Sequence, residues 1–215
     1  MSLLSNGFHL VRHAESTHNV SKDVSQLDPG LTSLGFEQAT RLTQTFPHAP
    51  QVGVILTSPL RRSIQTTLAA FSHILDKRYF DQVSEDGIEN GATLILDPDL
   101  QERSALPCDT GSTSPALEKA FPGLGVKDLA EGWQVKEGIY APEEEAVKER
   151  AKRVRSRVSE LSDQLKDEER NHIVIITHGV FMKFLSGDSD IDLPKAGWRS
   201  YTLEKHSSGI VLREK

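Results

Sequence analysis

The hydrophobic positions of this chain fall into short apolar runs that are separated by longer segments of mixed polarity. Runs of this length, rich in Val, Ile and Leu and bounded by polar or glycine-containing stretches, predict buried β-strands. The last two runs flank a turn at residues 207–208 and predict an antiparallel pair. The predicted strands span residues 7–13, 52–57, 93–96, 173–177, 198–205 and 209–213.

Two of the predicted strands end abruptly in a histidine. The first runs into Arg12 and His13, and the strand at residues 173–177 runs into His178. Because ligands of open α/β sheets bind at the carboxyl ends of strands, these polar side chains lie where chemistry is expected. The pattern therefore predicts one site built from both ends of the chain.

Helical periodicity is clearest at residues 142–167, where apolar residues recur at steps of three and four. The charged residues of this helix are predicted to form a solvent-exposed face with ion pairs one turn apart. Thr32 is a plausible N-cap for a second helix, and Pro59 suits the first position of a third. These shorter helices are predicted at residues 32–45, 59–75 and 180–185.

The alternation of strands and helices indicates the α/β class, as a three-layer α/β/α sandwich around a mixed, mostly parallel central sheet. No linker rich in Gly, Ser or Pro divides the chain, so a single domain is expected over residues 1–215. Residues 15–30 are polar and predict a loop or a frayed helix. Residues 97–140 contain Pro, Gly and Ser throughout, with one weak helical patch at 116–121, and predict a lid or substrate loop.

Composition narrows the function classes. The chain has 215 residues and a net charge of −6, without a basic stripe, which argues against binding of nucleic acid. The single cysteine, Cys108, excludes an internal disulfide and is typical of a reducing compartment. No segment has the pattern of a signal peptide or the length of a membrane span, so a cytoplasmic location is expected.

Four ordered segments carry a resemblance to a known family. They are residues 11–16 (Val-Arg-His-Ala-Glu-Ser), 28–35 (Asp-Pro-Gly-Leu-Thr-Ser-Leu-Gly), 57–66 (Thr-Ser-Pro-Leu-Arg-Arg-Ser-Ile-Gln-Thr) and 177–179 (Thr-His-Gly). Each is weak alone, but together and in this order they are specific. The chain resembles branch 1 of the histidine phosphatase superfamily, which includes cofactor-dependent phosphoglycerate mutase.

The resemblance implies a phosphoglycerate mutase-like fold and a phosphomonoesterase that hydrolyses a small phosphorylated metabolite through a phosphohistidine, without a cofactor or metal. It makes His13 the nucleophile, and neighbouring arginines should lower its pKa and keep it neutral. Arg12 and Arg62 would clamp the phosphate, with the adjacent Arg61 a surface cation. His178 would be a protonated partner of the phosphoryl oxygens.

Two further residues follow from the family pattern. Asn19 lies six residues after His13, as in the family, and would donate its amide to the phosphate. Glu102, within Leu-Gln-Glu-Arg at residues 100–103, is the candidate general acid, since repulsion by a dianion favours its protonated form. The sequence after Arg103 departs from the mutase pattern, which makes Asp109 a rival acid.

Substrate choice is open at this stage. Arg103 could hold a second anionic group, but no counterpart of the mutases' later paired arginines follows, which favours a phosphatase over a mutase-type phosphotransferase. A catalytically weak member that binds phosphorylated ligands or partner proteins is a further alternative. An aspartyl phosphatase built on Asp97 and Asp99 would require Mg²⁺ and lacks the threonine or valine expected at Gln101. The physiological substrate and the oligomeric state have no readable signal.

Overall fold

A six-stranded sheet forms the centre of the molecule, in the order β3-β2-β4-β1-β5-β6. The computed structural model describes residues 7–166, 168–207 and 209–215. Within this sheet β3 and β2, β2 and β4, and β4 and β1 pair in parallel. By contrast, β5 runs antiparallel to β1, and β6 runs antiparallel to β5. The strands are β1 (Phe8–Arg12), β2 (Val52–Thr57), β3 (Thr93–Leu96), β4 (His172–Thr177), β5 (Trp198–His206) and β6 (Gly209–Glu214). The predicted mixed, mostly parallel sheet is confirmed.

Helices cover both faces of this sheet. They are α1 (Thr17–Ser21), α2 (Ser33–Thr45), α3 (Arg61–Phe71), α4 (Ser114–Ala120), α5 (Glu144–Leu165) and α6 (Gly179–Ser186). Successive strand residues point to opposite faces, so Val11 packs into the core that includes α2 and α3, and Leu10 into the core that includes α5 and α6. This arrangement gives the three layers that the alternating pattern predicted.

Two helix starts test the predicted caps. Thr32 caps α2 as expected, since its Oγ1 accepts a hydrogen bond from the Gly35 N–H at 2.9 Å. The predicted start of α3 at Pro59 is wrong, because the helix begins at Arg61. The distant Asp28 performs the capping role there, as its carboxylate accepts the Arg61 N–H at 2.9 Å. A contact over this sequence distance has no local signal.

The prediction that the charged face of α5 is solvent-exposed is wrong for part of the helix. Arg150 is fully buried, and its Nη1 donates to the backbone carbonyls of Asp99 and Gln101 at 3.1 and 2.8 Å. Arg153 donates two hydrogen bonds to the Asp99 carboxylate. Burial lowers the pKa of Arg150 to about 10. These arginines attach the chain after β3 to α5, and so fix the approach to Glu102.

Replacing Arg150 with methionine is expected to lower the free energy of unfolding by about 2–4 kcal/mol, because two buried carbonyls lose their donor. Methionine keeps the apolar stem, so little of the loss comes from packing. Urea unfolding measures the effect, with Lys152→Met, an exposed lysine of the same helix, as the matched control. A loss for Arg150→Met no larger than for the control would show that the carbonyls find other partners.

The predicted lid at residues 97–140 contains the short helix α4 and several single helical turns. Its role as a lid stays a prediction, as does the single domain over residues 1–215. The predicted end of the long helix, Asp167, and the turn residue Ser208 lie outside the described residues. Among the described residues, no helix is long and apolar enough to cross a membrane.

Candidate active site

The carboxyl ends of β1 and β4 meet because these strands are parallel neighbours in which Arg12 pairs with Thr177. His13 and His178, the next residues of each strand, therefore lie side by side, with ring centroids 5.0 Å apart. The fold thus brings together the two histidines that the strand pattern singled out. Both side chains are buried.

Hydrogen bonding fixes the tautomer of His13. Its Nδ1 lies 2.7 Å from the Ala14 carbonyl oxygen, which can only accept, so Nδ1 carries the proton. Nε2 is then the unprotonated nitrogen, and it accepts from Nε of Arg62 at 3.3 Å. Burial, followed by the charge of Arg62, holds the pKa of His13 well below its usual value. The imidazole is therefore neutral, with its lone pair facing a cation.

Arg62 is buried in the first turn of α3, and among the described residues the other hydrogen bonds of its guanidinium go to one loop. Nη1 donates to the Cys108 carbonyl at 2.6 Å, and Nη2 forms an ion pair with Asp109 at 2.8 Å. Arg61 points elsewhere and lies 5.6 Å from the ring centroid of Phe121. Only Arg62 of the adjacent pair therefore reaches the nucleophile.

His178 differs from its expected charge state. Its Nε2 lies 2.9 Å from the Ser58 hydroxyl, and its buried Nδ1 has no hydrogen-bond partner among the described residues. Burial first, then Arg62 and His13, hold the pKa of His178 well below its ordinary value. His178 is therefore neutral in the arrangement described, and its protonation beside a phosphoryl group stays a prediction. Its unpartnered Nδ1 remains free for a new polar contact.

Glu102 lies at the N-terminus of α6. Its two carboxylate oxygens accept the backbone N–H groups of Val180 and Phe181 at 3.0 Å, and the N–H of Arg103 adds a third bond at 2.8 Å. The first turn of a helix provides unpaired N–H donors and a favourable dipole for an anion. This cradle fixes the carboxylate at the start of α6, where it lines the same pocket as His13.

Arg12 approaches the same helix end from the strand side. A Cβ on Gly179 would lie 3.0 Å from Nη2 of Arg12, so the glycine leaves room for the guanidinium. Nη1 of Arg12 donates to Asp192 at 2.8 Å. Arg12 thus lines the pocket, and one nitrogen of its guanidinium is bound by the exposed carboxylate of Asp192.

Asn19 and Arg103 have different outcomes. Asn19 lines the pocket of His13, where its Oδ1 accepts the Ser16 N–H at 3.2 Å and its Nδ2 lies 3.0 Å from Nε2 of His18. Arg103 does not line this pocket. Its Nε donates to the Pro142 carbonyl at 2.8 Å, and its guanidinium lies over the ring of Phe184. These contacts direct the side chain of Arg103 toward a neighbouring cavity, which it lines. The role of Arg103 in substrate choice stays a prediction.

The pocket has a volume of about 460 Å³ and a mixed lining of cations and carboxylates. The pocket lining also includes the nitrogen-bearing side chains of His18, Lys183 and Lys195, which the sequence analysis missed. Burial, then the charge of Arg12, lowers the pKa of Lys195 to about 8. A pocket with several cations suits a phosphate group. Lys195 lies in a loop without a motif, so no local signal could have identified it.

One group in this pocket has ligand atoms close enough for a metal ion, His18, Cys108 and Asp109, within 4.8 Å of one another. The carboxylate of Asp109 is already bound by Arg62 and by the hydroxyl of Ser104 at 2.6 Å. Burial raises the pKa of the Cys108 thiol, which disfavours the thiolate that a metal needs. The set is a poor cation site.

Comparison with known proteins agrees with this geometry. The chain is 24% identical over 197 residues to a probable phosphatase of Schizosaccharomyces pombe, covering 87% of this chain and 82% of that protein. It superposes on mycobacterial glucosyl-3-phosphoglycerate phosphatase in complex with VO3 with a TM-score of 0.60, 19% identity and 98% of both chains covered. For mycobacterial hydrolase 1 the TM-score is 0.60, the identity 19% and the coverage 98% and 97%.

The two structural similarities establish the phosphoglycerate mutase-like fold. The sequence pattern of the histidine phosphatase superfamily, branch 1, matches residues 8–215. That range includes both strand-end histidines and every other residue placed in the pocket above. The chain therefore belongs to branch 1 of the histidine phosphatase superfamily, and it is a phosphatase.

Proposed function

We propose that this phosphatase hydrolyses monoesters of small phosphorylated metabolites through a phosphohistidine on His13. The observation that carries the proposal is the unprotonated Nε2 of His13, held 3.3 Å from the guanidinium of Arg62. A neutral imidazole beside a cation can attack phosphorus while the cation absorbs the charge of the phosphoryl oxygens. The mycobacterial relative named for a phosphorylated glycerate derivative supports the substrate class.

In the first step, Arg12, Arg62 and the Asn19 amide bind the phosphoryl oxygens. Nδ1 of His178, which lacks a partner in the described structure, takes up a proton near the dianion and donates it in a hydrogen bond. Nε2 of His13 then attacks phosphorus as the ester P–O bond breaks. Glu102, which enters this step as the carboxylic acid, gives its proton to the leaving oxygen and becomes the carboxylate.

In the second step, a water molecule attacks the phosphoryl group on His13. Glu102, now ionised, accepts the proton of that water, and the P–N bond breaks to release inorganic phosphate. The electron pair returns to Nε2, which restores the neutral imidazole. Atoms and charges balance over both steps without a redox partner.

Hydrolysis of p-nitrophenyl phosphate between pH 5 and 8 is expected, with no loss of rate in EDTA. Vanadate should inhibit competitively, because it adopts the trigonal-bipyramidal geometry of the transferred phosphoryl group. Initial rates against substrate and vanadate concentration measure both properties. Activity that disappears in EDTA and returns with Mg²⁺ would instead support the aspartyl mechanism, and no turnover at any pH would support a phospho-ligand-binding protein.

A further inference from the structure

Three histidines from distant parts of the chain converge near the amino ends of β1 and β4, the ends opposite the active site. His9 is the second residue of β1, His172 is the first of β4, and His48 follows α2. One ring nitrogen of each lies within 4.8 Å of the corresponding atoms of the other two. His9 is buried, whereas His48 and His172 are half-buried, so the group is open to solvent on one side.

Hydrogen bonding leaves the ligand atoms of this histidine cluster well placed. Nδ1 of His9 lies 2.9 Å from the Ser200 hydroxyl, while its Nε2 lies 3.0 Å from Nδ1 of His172. Two imidazole nitrogens on one tetrahedral Zn²⁺, each about 2.0–2.1 Å from the metal, lie roughly 3.3–3.4 Å apart. The observed pair is joined by a hydrogen bond, so its two nitrogens must separate by a few tenths of an ångström and turn toward a common point to bind a metal. Ser200 would supply the outer hydrogen bond that orients a metal-binding imidazole.

His48 can complete the set with a small movement. Its ring stacks on His9 with centroids 4.5 Å apart and an angle of 19° between planes. Among the described residues it makes ring contacts but no side-chain hydrogen bond, so rotation about its side-chain bonds breaks no polar contact. The rings of Phe46 and Trp198 also contact the ring of His48 in T-shaped geometry.

The charge state also suits a metal. Burial, followed by the neighbouring histidines, lowers the pKa of His9 to about 3, and burial lowers that of His172 to about 4. All three rings are therefore neutral near pH 7, so a metal does not have to displace a proton into solvent. To free both ligand nitrogens, the proton shared between His9 and His172 must move to the outer nitrogen of the ring that carries it, Nδ1 of His9 or Nε2 of His172.

We propose that His9, His48 and His172 bind a divalent transition-metal ion, with Zn²⁺ as the physiological cation and a water molecule as its fourth ligand. Three imidazoles without a carboxylate favour Zn²⁺, Cu²⁺ or Ni²⁺ over Mg²⁺ and Ca²⁺. The site joins β1, β4 and the chain after α2, far from the nucleophile, so its effect is on stability. The three histidines are distant in the sequence and meet only in the folded chain, so no short sequence motif indicates the site.

Titration of the metal-free full-length protein with Co²⁺ tests the proposal, because tetrahedral cobalt gives visible d–d absorption. One equivalent should produce these bands, and His48→Ala and His172→Ala should abolish them. Zn²⁺ should compete with Co²⁺ and raise Tm by roughly 5–10 °C when its concentration is about 100-fold above Kd. His48→Ala removes a half-buried side chain, so this variant is the one expected to fold normally.

Matched controls separate this site from others. His73→Ala removes an exposed histidine elsewhere and should leave the bands intact, as should His18→Ala in the active-site pocket. Lys215 is the cation whose charge reaches all three histidines, so Lys215→Gln should tighten Co²⁺ binding. Unchanged bands in His48→Ala, or a thiolate charge-transfer band that disappears in His18→Ala, would overturn the proposal.

Discussion

His13→Ala is expected to lower kcat/KM for every phosphomonoester by a factor on the order of 10⁴ or more, because it removes the nucleophile itself. The tautomer supports this assignment, since the Ala14 carbonyl holds the ring proton on Nδ1 and leaves Nε2 bare. The loss should be the same for aryl and alkyl substrates, because both must transfer their phosphoryl group to the same nitrogen.

The phosphorylated intermediate gives a direct measurement. Phosphohistidine is destroyed by acid, so the reaction is stopped in alkali and the peptides are analysed by mass spectrometry. We expect one phosphoryl group on His13, and none in His13→Ala. A phosphate on Asp97 or Cys108 would refute the assignment. The adjacent arginines supply a matched pair, since Arg62→Ala should lose most activity while Arg61→Ala, whose side chain lies on Phe121, should keep it.

Glu102→Gln is expected to reduce kcat for alkyl phosphates by roughly 10²–10⁴-fold and for p-nitrophenyl phosphate far less. An alkoxide is strongly basic and must be protonated as it leaves, whereas p-nitrophenolate is a stable anion without a proton. Glutamine has the size of glutamate and can keep the two hydrogen bonds at one oxygen, from Phe181 and Arg103, but its NH2 cannot accept the N–H of Val180 and cannot donate a carboxylic acid proton. Steady-state rates on a series of leaving groups give the answer.

Asp109→Asn is the matched control, since Asp109 is the rival acid in the same pocket. Its carboxylate is ion-paired with Arg62 at 2.8 Å, so its replacement changes the phosphate clamp and should affect aryl and alkyl substrates alike. A leaving-group dependence in Asp109→Asn but not in Glu102→Gln would make Asp109 the acid. If neither variant shows it, the proton comes from another donor.

The strand pattern predicted most of the fold because a continuous apolar run, buried on both faces of the sheet, can be recognised from the local sequence alone. Leu10 and Val11 pack on opposite faces, and the same apolar run gives both positions. Contacts between distant residues could not be predicted in this way. Arg150 has the sequence context of a surface residue, yet it is buried against the carbonyls of Asp99 and Gln101, which lie in a segment without periodicity.

The site shows the same division. His13 and His178 could be identified because each ends an apolar run, and a family pattern distinguished Arg62 from Arg61. The ion pair of Arg62 with Asp109, the capping of α3 by Asp28 and the position of Lys195 depend on loops whose course no short motif encodes. Arg103 could be read from the sequence as a cation, but the hydrogen bond that directs its side chain to the Pro142 carbonyl could not.

The position of β1 in the sheet has a consequence for how this protein is made. Both strands that hydrogen-bond to β1, namely β4 and β5, come from the last part of the chain. During synthesis, β1 therefore has no strand to pair with until β4, which begins at His172, has left the ribosome. Such non-local pairing is slow and exposes an apolar strand in the meantime. Products that end before β4 have an unpaired β1 and no His178, so we expect them to be inactive.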